Sequence, residues 1–195
     1  MPTGGQLNLQ GGRLAVGTLV KEGNGAVSDT AESTLSVNYL QGFNTLHLVG
    51  AMRVGDYDRY SSGNLTVGGG SGNANSLTVD KSVTITRGKI ALKSPGQLTV
   101  GDMLKLQDQY CTLEVYEGSK LAVKTLDSAA GTLNLQGGEI TIDGGTLKPP
   151  SSSYALDAWS PVSLIFKNGG SASFPGDFTV GKNQDQSRTI TLTQT

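Results

Sequence analysis

The residues whose spacing best suits chemistry lie in the segment Arg53-Val-Gly-Asp-Tyr-Asp-Arg-Tyr60. Asp56 and Asp58 would point the same way in an extended chain, because alternate side chains of a strand share a face. Two such carboxylates are what glycoside hydrolases use, since one acid donates a proton while the other attacks or activates water. Tyr57 and Tyr60 could stack on a sugar. The segment is also typical of an exposed polar loop in which arginine offsets the acids, and this simpler interpretation predicts no catalysis.

Trp159 is a further candidate for contact with a ligand. It is the only tryptophan of the chain and lies in a proline-bounded insert, residues 149–161. Such a residue could cap one end of the fold or form a contact patch. The sequence therefore predicts no catalytic residue, and it offers five candidate ligand contacts: Asp56, Tyr57, Asp58, Tyr60 and Trp159.

The sequence contains no set of residues suited to hold a metal ion or a cofactor. The segment Gly69–Leu77 has the glycine spacing of a calcium-binding nonapeptide, but Ala74 occupies the position of the ligating aspartate. Zinc needs clustered cysteine and histidine, and the chain has one of each, Cys111 and His47. Cys111 is expected to be a small buried residue and His47 an outward surface residue. We expect no metal site and no cofactor.

Charge and hydropathy narrow the classes of partner. The formal net charge is −1, whereas a protein that binds nucleic acid normally carries a basic excess. No stretch approaches the 18 or so consecutive apolar residues of a membrane-spanning helix. The sequence therefore predicts neither nucleic-acid binding nor membrane insertion.

Short apolar-polar-apolar triplets, rather than helical periodicity, organise the chain. Leu133/Leu135 and Ile140/Ile142 are two examples, and a Gly-Gly step follows each. Alternation of this kind is typical of a strand with one buried face, and paired glycines allow a turn with positive φ. The hexapeptide Leu-Asn-Leu-Gln-Gly-Gly occurs twice, at 7–12 and at 133–138. Repetition indicates stacked structural units.

The recurrence of triplets predicts an all-β protein, a parallel β-helix whose coils are about 20 residues long. Nine or ten such coils would fit 195 residues. We expect a single β-solenoid domain over 1–195, with a polar loop at 21–33 and the insert at 149–161. An antiparallel β-sandwich is the competing fold, because it also has short alternating strands and glycine-rich turns.

The repeat motif also resembles a known group of proteins. Gly63-Asn-Leu-Thr-Val-Gly-Gly-Gly70 and Gly96-Gln-Leu-Thr-Val-Gly101 are similar to bacterial autotransporter passenger domains. They are equally similar to the autotransporter-associated β-strand repeats of large exported surface proteins. This resemblance implies a single-stranded right-handed parallel β-helix, export from the cell, and a role in adhesion or as a stalk.

Three functions follow from these observations. The first is a non-enzymatic structural or adhesive segment of an exported or cell-surface protein, located outside the cell or on its surface. The second is a self-assembling extracellular fibre subunit, because neither end of the chain looks protected against pairing with another strand. The third is a carbohydrate-binding or carbohydrate-cleaving β-helix. The expected partners are a second copy of the chain, flanking coils of a parent protein, or surface glycans.

Overall fold

The fold is described from a computed structural model that covers residues 6–22, 26–55, 62–70, 73–150, 162–173 and 190–195. These residues contain strands and turns. The strands are β1 (Gln6–Leu9), β2 (Arg13–Val20), β3 (Ala26–Asp29), β4 (Thr34–Gln41), β5 (Thr45–Leu48), β6 (Ala51–Val54), β7 (Gly63–Val67), β8 (Ser76–Val79), β9 (Val83–Ile85), β10 (Gly88–Leu92), β11 (Gln97–Leu106), β12 (Cys111–Tyr116), β13 (Lys120–Asp127), β14 (Thr132–Gln136), β15 (Gly138–Asp143), β16 (Thr146–Lys148), β17 (Val162–Lys167), β18 (Ser171–Ala172) and β19 (Ile190–Gln194).

The strands wind into a coil with three sides. The first side contains β1, β3, β5, β8, the first halves of β11 and β13, β15, β17 and β19. The second side contains the first halves of β2 and β4, β6, β9, the second halves of β11 and β13, β16 and β18. The third side contains the second halves of β2 and β4, β7, β10, β12 and β14.

Every ladder between these strands is parallel, which confirms the predicted parallel β-helix. Each ladder joins one turn of the coil to the next, as in the pairing of Leu77 with Leu98 and of Leu98 with Leu121. An antiparallel sandwich would pair strands of opposite direction. The competing prediction of a β-sandwich is therefore wrong.

The core is a set of aliphatic columns that run along the coil. One inward residue of each strand stacks on its equivalents in the next turns, and full burial of such a side chain contributes about 1.5–3 kcal/mol. The central columns are Leu46, Leu77, Leu98, Leu121, Ile140 and Leu164 on the first side, Leu35, Met52, Val83, Leu104, Leu126 and Leu147 on the second, and Leu65, Ile90 and Leu113 on the third, all of them buried.

The Gly-Gly steps turn the chain as predicted, but the number of turns is lower than expected. Gly137, which separates β14 from β15, and Gly138, the first residue of β15, have φ of 111° and 84°, a region that residues with a side chain disfavour. The described residues form about seven turns rather than nine or ten. The expected number of turns was too high because the turns vary in length. Leu46, Leu77 and Leu98 occupy equivalent positions in successive turns, and the first interval is about one and a half times as long as the second.

The polar run 21–33, predicted as a loop, contains the short strand β3. Its four residues pair in parallel with β1, and Val27 stacks on Leu7. The Ser28 hydroxyl donates to the Asn8 side chain of the neighbouring rung. The prediction was wrong here because pairing with an adjacent turn outweighs the low strand propensity of serine and aspartate. In the insert 149–161, the two prolines follow β16 outside any strand, and the remaining residues lie outside the described part.

The ladders are interrupted at one place, between the second and third turns. On the first side no described ladder joins β3 to β5, and on the third side none joins β4 to β7. The second side continues, because β4 pairs with β6. On the third side, the interruption coincides with a change at the corner between the second and third sides. In the first two turns a single eight-residue strand crosses this corner, whereas in the third turn eight residues separate the end of β6 from the start of β7.

A buried carboxylate ties the turns together beside this interruption. Asp29 accepts hydrogen bonds from Ser33 N at 3.3 Å and from Gly50 N, in the third turn, at 2.8 Å. Ser33 Oγ in turn accepts from Gly11 N, in the first turn, at 2.9 Å. A Cβ on Gly50 would lie 1.8 Å from Ser33 O, so only glycine permits this approach.

We expect Asp29→Asn to reduce the free energy of unfolding by about 1.5–3 kcal/mol at neutral pH, since the amide NH2 cannot accept the bond that a carboxylate oxygen accepts. Burial raises the pKa of Asp29, but hydrogen bonds from Gly50 and Ser33 outweigh it and leave the pKa below its ordinary value of 3.8. The stabilisation is therefore complete above that ordinary value and is lost as the pH falls through the lower folded-state pKa.

Urea unfolding at neutral pH and at about pH 3 measures the difference in the free energy of unfolding between the wild-type chain and Asp29→Asn at each pH. Asp102→Asn is the matched control, because Asp102 is exposed and the same charge is removed. A difference that is absent at neutral pH, or that grows as the pH falls, would contradict the assignment of Asp29.

Candidate functional site

The residues singled out in the sequence lie outside the described part of the chain. Asp56, Tyr57, Asp58 and Tyr60 fall between β6 and β7, and Trp159 falls between β16 and β17. Their role as ligand contacts stays a prediction. The described residues that flank this first segment in the chain are Gly55, which follows β6, and Ser62, which precedes β7.

A groove lies on the third side at this interruption. It runs between the second half of β4 and the strand β7, which are neighbours without a shared ladder. Its volume is about 380 Å³. Where the ladder is continuous, neighbouring parallel strands are about 4.8 Å apart and leave no such space. The groove is therefore a direct consequence of the change in corner geometry between the second and third turns.

The lining of the groove is uncharged and, apart from Leu40, polar. Tyr39 is 45% exposed, and the polar lining residues offer amide and hydroxyl groups. The Asn73 Nδ2 atom donates to Gly68 O at 3.0 Å, which fixes the orientation of that amide. The lining residues are Thr18, Tyr39, Leu40, Gln41, Asn64, Thr66 and Asn73.

A charged row lies further along the third side, on β10 and β12. Lys89 Nζ is 3.2 Å from Glu114 Oε2, and the Tyr116 hydroxyl donates to the same oxygen at 3.3 Å. Lys93 Nζ lies 5.6 Å from the centroid of the Tyr116 ring, a cation–π distance. These contacts join adjacent turns through side chains, in addition to the backbone ladder.

The Tyr116 hydroxyl is held in its neutral form. Burial raises its pKa most, and the charge and hydrogen bond of Glu114 raise it further, while Lys89 lowers it. A phenol kept protonated acts as a hydrogen-bond donor and not as a base. The Glu114 side chain is only 14% exposed. The sequence alone does not reveal this contact, because it depends on the strand register: Lys89 pairs with Thr112 and Ala91 with Glu114, which makes Lys89 and Glu114 diagonal neighbours on adjacent strands.

The lone histidine and cysteine occupy the predicted environments. His47 is exposed, and its Nε2 lies 2.8 Å from Asp80 Oδ1 on the surface of the first side. Cys111 is fully buried, with its Sγ 3.0 Å from Ile85 O. Burial raises the pKa of the Cys111 thiol, which disfavours the reactive thiolate.

Within the described ranges, no three residues among histidine, cysteine, aspartate and glutamate come together as a metal site would require. Nor does any helix in those ranges have the length and hydropathy to span a bilayer. Comparison of the chain with family models, with curated proteins and with solved structures finds no match.

Substitutions in the charged row should change the pKa of Tyr116. We expect Glu114→Gln to lower the pKa of Tyr116, because a negative charge and a charged acceptor are removed. Lys89→Met should raise the same pKa, because a nearby positive charge is lost. NMR titration of the chain with ¹³C-labelled tyrosine resolves the individual phenol groups. Asp143→Asn removes a negative charge from exposed Asp143 on the first side and should leave Tyr116 unchanged. If neither variant at the row moves the pKa of Tyr116, the row does not exist in solution.

Proposed function

We propose that the chain is a non-enzymatic structural or adhesive β-solenoid segment of an exported or cell-surface protein. The repeat motif resembles that of bacterial autotransporter passengers and of autotransporter-associated β-strand repeats, which supports an extracellular or cell-surface location. The parallel ladders support a rod that holds its sides in fixed positions.

The observation that carries this proposal is the filling of the interior. Inward positions on all three sides are aliphatic and mostly have no exposed surface, so the described turns hold no internal chamber for a ligand. Any molecule that binds this part of the chain must do so at the sides or at the ends. A solid rod with display surfaces suits a stalk or an adhesin.

Location on the cell surface is tested on cells of the source organism with antibodies raised against the chain. We expect labelling of intact cells and loss of the labelling after treatment of intact cells with protease. An antibody against a cytoplasmic marker, which should label only permeabilised cells, checks membrane integrity. Labelling that requires permeabilisation would overturn the proposal.

A self-assembling fibre subunit is a second candidate, and the two ends of the described coil favour it. Leu192 on β19 is 62% exposed, whereas its equivalent Leu164 in the preceding turn is 1% exposed. At the opposite end, Leu7 and Leu19 are only half-buried and line an open cavity of about 460 Å³. Both ends therefore expose part of the aliphatic column.

The strand direction makes a second copy a suitable partner for these ends. Strands of the first and last turns run parallel, so a copy stacked head to tail would continue the ladders without a change of direction. Such a contact joins two different surfaces and extends into a filament. The net charge of −1 opposes this association only weakly.

We expect the weight-average sedimentation coefficient to rise with protein concentration. Thr191→Lys with Thr193→Lys should suppress the rise, because lysine on an edge strand disfavours further pairing. Gln97→Lys with Thr99→Lys places the same charges at equivalent positions of an interior turn and should preserve it. A wild-type chain that sediments as a monomer at every concentration would exclude the fibre subunit.

A further inference from the structure

The groove between β4 and β7 has a lining whose chemistry selects one class of ligand. Among its seven residues are threonine, asparagine, glutamine and tyrosine, and none carries a charge. Amides and hydroxyls each offer both donors and acceptors. Tyr39 adds a partly exposed ring that is apolar on its face and polar at its tip.

Other classes of ligand fit this lining poorly. A phosphate-bearing or carboxylate-bearing ligand is normally held by arginine or lysine through charge-assisted hydrogen bonds, and the groove offers neither. A purely apolar ligand would cover the amides of Gln41 and Asn64 without pairing them, which costs free energy. A neutral molecule rich in hydroxyl groups satisfies both the amides and the ring.

We propose that this groove is a binding site for a neutral oligosaccharide. Its volume of about 380 Å³ falls in the range of roughly 300–1,000 Å³ found for small-molecule sites. It lies between two turns of the coil, so it runs along the strands and across the rod, and a linear sugar chain can enter from the surface. Tyr39 packs against a sugar ring, and Gln41, Asn64 and Asn73 bond its hydroxyls.

This inference rests on the proposed function, because it names the contact through which an adhesive segment would hold a glycan. It does not use the carboxylates predicted between β6 and β7, and it involves no cleavage of the sugar. The charged row begins on the next strand of the same side, where Lys89 pairs with Asn64, and continues to Glu114 on the strand after that. It provides a built-in comparison. An acidic polysaccharide would bind at the charged row, whereas a neutral one binds in the groove.

The test uses the whole chain on an array of neutral and acidic glycans, followed by titration calorimetry with the strongest neutral oligosaccharide. We expect binding to neutral glycans. Tyr39→Ala should weaken it at least about tenfold, and Asn64→Leu should weaken it to a similar extent, because the first removes the ring and the second removes an amide at similar size. Tyr110→Ala is the matched control: Tyr110 is 64% exposed outside the groove, and its loss should leave the affinity unchanged.

Each other outcome overturns the inference. Binding only to acidic glycans, with loss in Lys89→Met and Lys93→Met, would move the contact to the charged row. Equal loss in the Tyr39 and Tyr110 variants would show that the groove is not the site, and so would no binding to any glycan. Circular dichroism of each variant checks that it is folded. A failure here leaves surface labelling intact, whereas labelling only after permeabilisation counts against the proposed function itself.

Discussion

The parallel backbone ladder from one turn to the next is the interaction on which the rest of the molecule depends. Each strand has its partner in the preceding and following turns, so the structure is held together chiefly by nearest neighbours along the coil. Between the second and third turns only the second side keeps its ladder, through β4 and β6. The buried Asp29 supplies backbone contacts to both of those turns. It compensates locally for hydrogen bonds that the first and third sides do not make.

Because the ladder fixes direction and spacing, a short motif is enough to predict the architecture. Triplets such as Ile140/Ile142 with Gly137-Gly138 define an inward face and a turn, and both features are present. What the motif leaves open is the length of each corner. The same triplet pattern fits both kinds of corner. In one, β4 crosses the corner as a single strand, and in the other a longer connection follows β6. Corner length sets both the number of turns and the register between them, so the turn count was overestimated.

The candidate sites were harder to predict for the same reason. Lys89, Glu114 and Tyr116 form a cluster only once β10 and β12 are aligned, and nothing in either strand alone pairs them. The groove depends on an absent ladder, which no local pattern encodes. Sequence reasoning instead favoured residues close together in the chain, Asp56 to Tyr60, because proximity in sequence is what a single chain displays. In a solenoid, chemistry forms between residues about one turn apart.

The irregular turn is also the place where function is most readily added to a regular coil. A regular turn offers a flat side whose backbone groups are all paired, and its side chains repeat those of its neighbours. At the junction after β4, the inward residues Leu40 and Leu65 of the third side stay buried, while Gln41 and Asn64 line the groove on the outer surface. The core therefore keeps its stability while the surface gains a concave, hydrogen-bonding shape. A binding site is expected where the chain departs from its repeat pattern and the core does not require the departure.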